Sequence, residues 1–333
     1  MLKILPFLIL TLLVAIRTSE EAFAFLSPSN PPSRSSSSRS SRQTLHANLI
    51  TFDLDDTIFP VGPVIADANK ALFQHLESLG CESNQEEYLK TAKQIRNELA
   101  KENKAITYTE LRKRTIRREL EKYFSDDEIG DSVVSQSYDI WEEHRHIAAE
   151  THLYHDTVSM LKELKNRYPD AVIGAITNGK GNPLKMESIK DYFDFCVSGE
   201  DDDVFPLRKP SEGIYRVALE RFRSLTKGRD GNQKECWIHV GDDLANDVGA
   251  SAMCGAKAVW VDLGEDYSQT ASTRDPSQPQ PAWSTATKEE LEKRKQMDQE
   301  AQQYVSRRVT TLEILPKSIE EITQEKEESV VMA

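Results

Sequence analysis

Cysteine is scarce in this chain and never closely paired. Its four cysteines, Cys81, Cys196, Cys236 and Cys254, are scattered with no CxxC among them, which argues against disulfides and zinc ligation. Cys196 and Cys236 sit in apolar, strand-like runs, where a small buried thiol fits well. A basic excess is also missing. The formal net charge of −13 sets aside general nucleic-acid binding. The longest apolar run, Ile4 to Ile16, is interrupted by Pro6 and Thr11 and is too short to span a bilayer comfortably. No internal repeat recurs. What is present is globular: 333 residues, 38% hydrophobic and 29% charged, with room for one large domain or two smaller ones.

The first 47 residues differ from the rest. Residues 1–24 read as a signal peptide: a positive start at Lys3, the apolar run, then Ala22 and Ala24 as an A-x-A cleavage site before Phe25. Residues 25–47 hold nine serines and three arginines but no acidic residue, so they cannot bury a core and are predicted to be disordered. This second segment resembles a transit peptide, and the two together resemble the bipartite leader of algae with secondary plastids. Plastid delivery is the expectation, with no membrane segment in the mature form. Secretion behind a Ser-rich linker is the alternative.

Five short β-rich runs follow: LITFD (49–53), AVIGAIT (171–177), DFCVS (194–198), CWIHVG (236–241) and AKAVWV (256–261). Amphipathic helical patterns separate most of them, for instance Thr157 to Tyr168 and Ser211 to Arg223. The alternation predicts an α/β fold, a Rossmann-like doubly wound parallel sheet that binds ligands outside its strands' carboxyl ends. Asp53, Thr177 and Asp242 all fall at that end.

More than a hundred residues separate the first two strands, and they read only as helices. Ile65 to Ser78 is stopped by Gly80, and Glu86 to Lys101 follows. Capping boxes at Thr107-x-x-Glu110 and Ser125-x-x-Glu128 open two more. This predicts an all-helical cap at 64–150, inserted in a core made of 48–63 and 151–265. Residues 266–333 read as a linker and a solvated, charged C-terminal extension, with an edge strand near 309–315.

The first strand ends in Asp53, Asp55 and Asp56. Repulsion and desolvation disfavour such a cluster unless a cation or proton offsets them. Side chains two apart share a strand face, so Asp53 and Asp55 are expected to point to one spot. The fourth strand ends in GDDLAND, supplying Asp242, Asp243 and Asp247. Two acidic strand ends meeting at one hard cation such as Mg²⁺, completed by substrate phosphate, would resolve the repulsion. Asp also caps helices, the alternative for any one of these residues. Thr177, Asn178 and Gly179 offer a hydroxyl, an amide and a flexible backbone to phosphate oxygens, and Lys209 ahead of Pro210 offers a fixed cation.

In this order, DxDxT, T-N, K-P and G-D-D-x-x-x-D resemble motifs I to IV of the haloacid dehalogenase superfamily over residues 48 to about 262. The helical insert resembles that family's type-one cap. TFDLDDTIFPVGPVI, AITNGKGNP…DYFDF and HVGDDLANDVGAS are most similar to the bacterial branch that dephosphorylates FMN and 5-amino-6-(5-phosphoribitylamino)uracil. The resemblance implies a Mg²⁺-dependent phosphatase. Asp53 would be nucleophile and metal ligand, and Asp55 general acid/base and a ligand through its carbonyl. Asp242 would ligate directly and Asp247 act in the outer shell. Thr177, Asn178 and Gly179 would bind the phosphoryl group, and Lys209 would neutralise its charge. The superfamily's dehalogenases lack an acid two residues after the nucleophile, so Asp55 favours phosphoryl transfer. The implied partner is a small phosphorylated metabolite. A nucleotide or sugar phosphatase, a phosphomutase and a catalytically silent binding module are the alternatives.

Other features read as structural. The acidic insert Glu200 to Asp203 is expected to be a solvated loop, the alternative being that it repels polyanionic ligands from the approach to Lys209. The six cations of LRKRTIRRELEK (111–122) are expected on a solvated helix face, the alternative being to draw phosphorylated substrates toward the cleft. Trp141 reads as cap core, and the spacing of His144, His146, His152 and His155 suits no metal.

Overall fold

The computed structural model describes residues 47–102, 104–125, 129–227, 236–263 and 288–331. The leader expectations, and the loop between the fifth strand and the helix at Lys288, lie outside them. Six parallel strands form one sheet in the order β3-β2-β1-β4-β5-β6. They are β1 (Leu49–Phe52), β2 (Val172–Thr177), β3 (Phe195–Ser198), β4 (Trp237–Gly241), β5 (Lys257–Val261) and β6 (Val305–Val309). Every residue of β1 is buried. Ile50 and Phe52 pack with Met160, Leu161 and Leu164, while Leu49 packs with Ile214, Ala218 and Phe222 on the opposite face. These partners come from α5 (Thr157–Arg167) and α6 (Glu212–Leu225), so helices sandwich the sheet as continuous apolar strands require. Each buried Leu, Ile or Phe contributes about 1.5–3 kcal/mol, which fixes where the strands end. Among the described residues no helix is long and apolar enough to cross a membrane.

Between β1 and β2 lie α1 (Val61–Ser78), α2 (Gln85–Lys101), α3 (Tyr108–Leu120) and α4 (Asp131–Thr151). They share a core of their own around Leu72, Leu76, Tyr88, Ile116, Tyr138 and Trp141. Thr107 caps α3 by accepting from the Glu110 N–H at 3.0 Å. Three expectations shift. The first helix opens at Val61 rather than Ile65, because Pro63 falls in its first turn, where proline is tolerated. The helix expected from Ser125 opens instead at Asp131, with Gly130 at its N-cap; Glu128 lies outside the described residues. The basic stretch is not a free face. Arg112 stacks 3.6 Å from the centroid of the Trp141 ring, and Lys113 lies 5.0 Å from that of Tyr138. Arg114, Arg117, Arg118 and Lys122 pair with Glu110, Asp131, Glu98 and Glu119.

The C-terminal segment departs most from expectation. The edge strand is Val305–Val309, ending where the sequence places its start. Leu312 and Leu315 are fully buried, but their spacing of three belongs to the turn that enters α9 (Leu315–Val331). The strand itself carries Arg307 and Arg308 in a run of five, which hides it from a hydrophobic pattern. Nor is the segment a solvated appendage. Leu312, Leu315, Ile319 and Ile322 join the main core, and Ala301 at the end of α8 (Lys288–Ala301) packs on Leu244, Val248 and Ala258.

Candidate active site

Parallel pairing brings the carboxyl ends of β1, β2 and β4 side by side: Phe52 is in register with Ala175 and with Val240. The Asp53 N–H donates to the Val240 carbonyl at 2.8 Å, which ties the first acidic strand end to the second. One carboxylate oxygen each from Asp53, Asp242 and Asp247 lies within 4.8 Å of the others. The Thr57 hydroxyl, 3.3 Å from both Asp53 Oδ2 and Asp242 Oδ1, bridges two of them. It also accepts from the Asp242 N–H at 3.1 Å. Asp247 arrives from a π-helical turn, Leu244–Gly249, that follows β4. The last residue of β4 must be glycine here, because a Cβ at Gly241 would collide with the Asp247 side chain.

The capping alternative holds for Asp56 and Asp243. Asp56 accepts from the Val61 N–H at 2.8 Å and so starts α1. Asp243 accepts from the Asn246 N–H at 2.8 Å and pairs with Arg294 of α8. Asp298, also on α8, accepts from the Ala245 N–H at 3.0 Å, so the helix read as an appendage braces the turn carrying Asp247.

Lys209 is the single ammonium against this trio among the described residues. It is 5% exposed, pairs with Asp53 and lies 2.8 Å from Asp247 Oδ1. Burial lifts the Asp53 carboxyl to about 7, opposed by Lys209 and reinforced by Asp247 and Asp55. Burial also raises Asp242 well above the ordinary carboxylate range, with Asp56, Asp53 and Asp247 adding to it. At Asp247 burial pushes the same way, but Lys209 and His239 outweigh it and hold the carboxyl low. One cation facing two buried carboxylates and a half-buried one leaves an excess of negative charge when all three are ionised. An all-oxygen donor set of this kind suits a hard divalent cation such as Mg²⁺.

On the phosphate side, Thr177 is buried and its Oγ accepts from the Gly179 N–H at 3.2 Å. The Asn178 side chain accepts from the Lys209 N–H at 2.8 Å and donates to the Lys209 carbonyl at 3.0 Å. The amide thus helps to hold Lys209 in place and keeps a second N–H donor. The strand stops at Phe52 and the chain turns through Asp56 at φ 62°, and the carboxyl of Asp53 is pushed up in part by that of Asp55. Asp55 Oδ1 accepts from Arg145 Nη2 at 2.7 Å.

Three groups near the site carried no sequence signal. Arg145 comes from α4, ninety residues away in the chain. His239 is fully buried, with Nδ1 2.7 Å from the Thr51 hydroxyl and Nε2 3.4 Å from Asp247 Oδ1. Trp237 Nε1 donates to that same hydroxyl at 2.8 Å, which ties the ring to β1 on one side and to Asp247 on the other. A polar residue inside the otherwise apolar CWIHVG strand was the one available hint. Glu200, read as solvated, accepts from the Tyr108 and Thr109 N–H groups at 2.7 and 2.8 Å and caps α3 from the core side. Asp201 accepts from the Ser198 N–H, and Asp203 pairs with Arg221.

Comparison with known proteins agrees with this geometry. Residues 47–255 match the haloacid dehalogenase-like hydrolase family. The 5-amino-6-(5-phospho-D-ribitylamino)uracil phosphatase YigB of Escherichia coli (strain K12) is 29% identical over 217 residues, covering 64% of this chain and 82% of that one. The ribulose-1,5-bisphosphate 5-phosphatase of Halopiger xanaduensis is 24% identical over 229 residues, covering 68% and 89% respectively. The 2-haloacid dehalogenase of Pseudomonas syringae pv. Tomato DC3000 shares the fold, with a TM-score of 0.57 at 22% identity over 83% of this chain and 99% of that one. The chain belongs to the haloacid dehalogenase-like hydrolases and is a phosphatase of that family.

Proposed function

We propose that the protein is a Mg²⁺-dependent phosphomonoesterase that works through an aspartyl-phosphate on a small phosphorylated metabolite. The observation that carries this reading is the meeting of Asp53, Asp242 and Asp247 at one point with the buried Lys209 against them. Asp53, Asp242 and the Asp55 carbonyl would hold the cation, with Asp247 behind them. The cation would supply positive charge that keeps Asp53 ionised and offsets the phosphoryl oxygens. An Asp53 oxygen attacks phosphorus, the bond to the leaving oxygen breaks, and Asp55 gives that oxygen a proton. Water then attacks the phosphorus, Asp55 takes its proton, and the bond to Asp53 breaks to release phosphate. Lys209 and the Thr177 hydroxyl stabilise the charge that moves onto the phosphoryl oxygens.

For the substrate we favour 5-amino-6-(5-phosphoribitylamino)uracil, then FMN. The motif resemblance and the Escherichia coli relative support this, as does the plastid delivery read from residues 1–47. The Halopiger relative favours a sugar-phosphate substrate as the second reading. Phosphate release from p-nitrophenyl phosphate is expected to require Mg²⁺ and to vanish in Asp53→Asn; activity surviving that change removes the assigned nucleophile. A panel of phosphometabolites then separates the substrates, since a phosphatase releases phosphate where a mutase returns an isomer. A binding module hydrolyses none of them. A fluorescent fusion of residues 1–60 distinguishes plastid from secretory delivery.

A further inference from the structure

Arg145 is an unusual residue to find inside a cap helix. It is 2% exposed, and its guanidinium reaches out of the insert to a carboxylate of the core. Nη2 donates to Asp55 Oδ1 at 2.7 Å, whereas Nη1 is buried with no hydrogen-bond partner among the described residues. A buried guanidinium with a half-used fork is costly to keep for stability alone. The space around it is shaped for it. A Cβ at Gly181 would stand 3.0 Å from Nη1 and 3.0 Å from Leu54 Cδ1, so glycine here lets the guanidinium sit close against the backbone. The Phe59 ring centroid lies 5.9 Å from the guanidinium carbon.

The contact divides the two oxygens of Asp55. Oδ1 is held by the cap. Oδ2 faces the phosphate turn, 3.4 Å from where a Gly179 Cβ would stand, and the Thr177 hydroxyl is 4.0 Å from that same point. A proton carried on Oδ2 is thereby aimed at the place where a leaving oxygen departs. An unpinned carboxyl turns through a broad range about its terminal torsion.

We propose that Arg145 is a positioning residue for Asp55, coupling the seating of the helical cap to the geometry of proton donation. This rests on the reading of Asp55 as the acid, and the test separates the two. A series of aryl phosphates from p-nitrophenyl to p-methoxyphenyl keeps shape constant while the leaving oxygen increasingly needs a proton. For this series kcat/KM reports the first transfer alone. Asp55→Asn is expected to steepen the fall of kcat/KM along the series. Arg145→Gln is expected to steepen it in the same direction, losing about 10-fold more on p-methoxyphenyl than on p-nitrophenyl phosphate, part of the ~10²–10⁴ a positioned acid contributes. Arg145→Lys restores part of the slope. If Arg145→Gln unfolds at assay temperature, the slope of Arg145→Lys against the parent carries the test. A uniform loss along the series, or none, in both Arg145 variants beside a steepened Asp55→Asn overturns the positioning role. An unchanged slope in Asp55→Asn overturns the acid assignment, and the Arg145 role falls with it.

Discussion

Asp53 is 6% exposed, and its burial beside Asp247 and Asp55 gives the metal-free site a pH signature. Its folded-state pKa is raised from 3.8 to about 7, so between those values the folded chain holds a proton that the unfolded chain has lost. Stability then falls as pH rises through that window, by at most about 1.4 kcal/mol per unit for one such group. Asp242 shifts the same way. Burial lowers His75, His146 and His239, which act in the opposite sense below their ordinary value of 6.5. We therefore expect the Tm measured in EDTA to drop less between pH 5 and pH 8 in Asp53→Asn than in the parent, and added Mg²⁺ to raise the parent's Tm more at pH 8. The same metal-free profile in Asp53→Asn and parent, or a Mg²⁺ effect larger at acid pH, would remove the charge excess from the account. The residues behind this behaviour were legible because Asp53, Thr177, Lys209 and Asp242 each abut a strand end or a helix start. Arg145 was not, since its meaning comes from a contact across the fold. The hold of the Asn178 amide on Lys209 is a tertiary fact of the same kind.

At the level of elements, the loop after β3 and the start of α3 act as one joint. Glu200 takes two of the orphan N–H groups that every helix start leaves unpaired. Arg208 adds a donor to the Ile106 carbonyl at 2.7 Å just ahead of that helix. Glu200→Ala is expected to cost about 1 kcal/mol locally. Hydrogen exchange at the Tyr108 and Thr109 amides should speed up roughly fivefold, with the amides of α6 unchanged; equal rates in mutant and parent would return this loop to the solvated class. A run of four acidic residues gives a sequence reader no means of seeing that one of them faces a helix end. Strands β1 to β5 and most of the helices showed plainly, because their apolar pattern is set by burial on known faces. Exposed partners of a sheet edge need no such pattern.

For the whole molecule, the segment after β5 completes the fold. Leu312, Leu315 and Ile319 are fully buried against the same face as Leu164 and Ile50. Removing them forfeits roughly 5–9 kcal/mol of apolar burial, comparable with the entire stability of an ordinary domain. A chain cut after Leu263 is accordingly expected to be insoluble or to lose cooperative melting and all phosphatase activity. A soluble, active fragment would show the segment to be dispensable. The arginine pair of β6 then acquires a second meaning. Arg307 and Arg308 kept the strand from being recognised, and they also stand on a flank whose outer backbone groups invite another strand. A more strand-like, uncharged version of VSRRV would be easier to read and would turn that flank into a template for self-association.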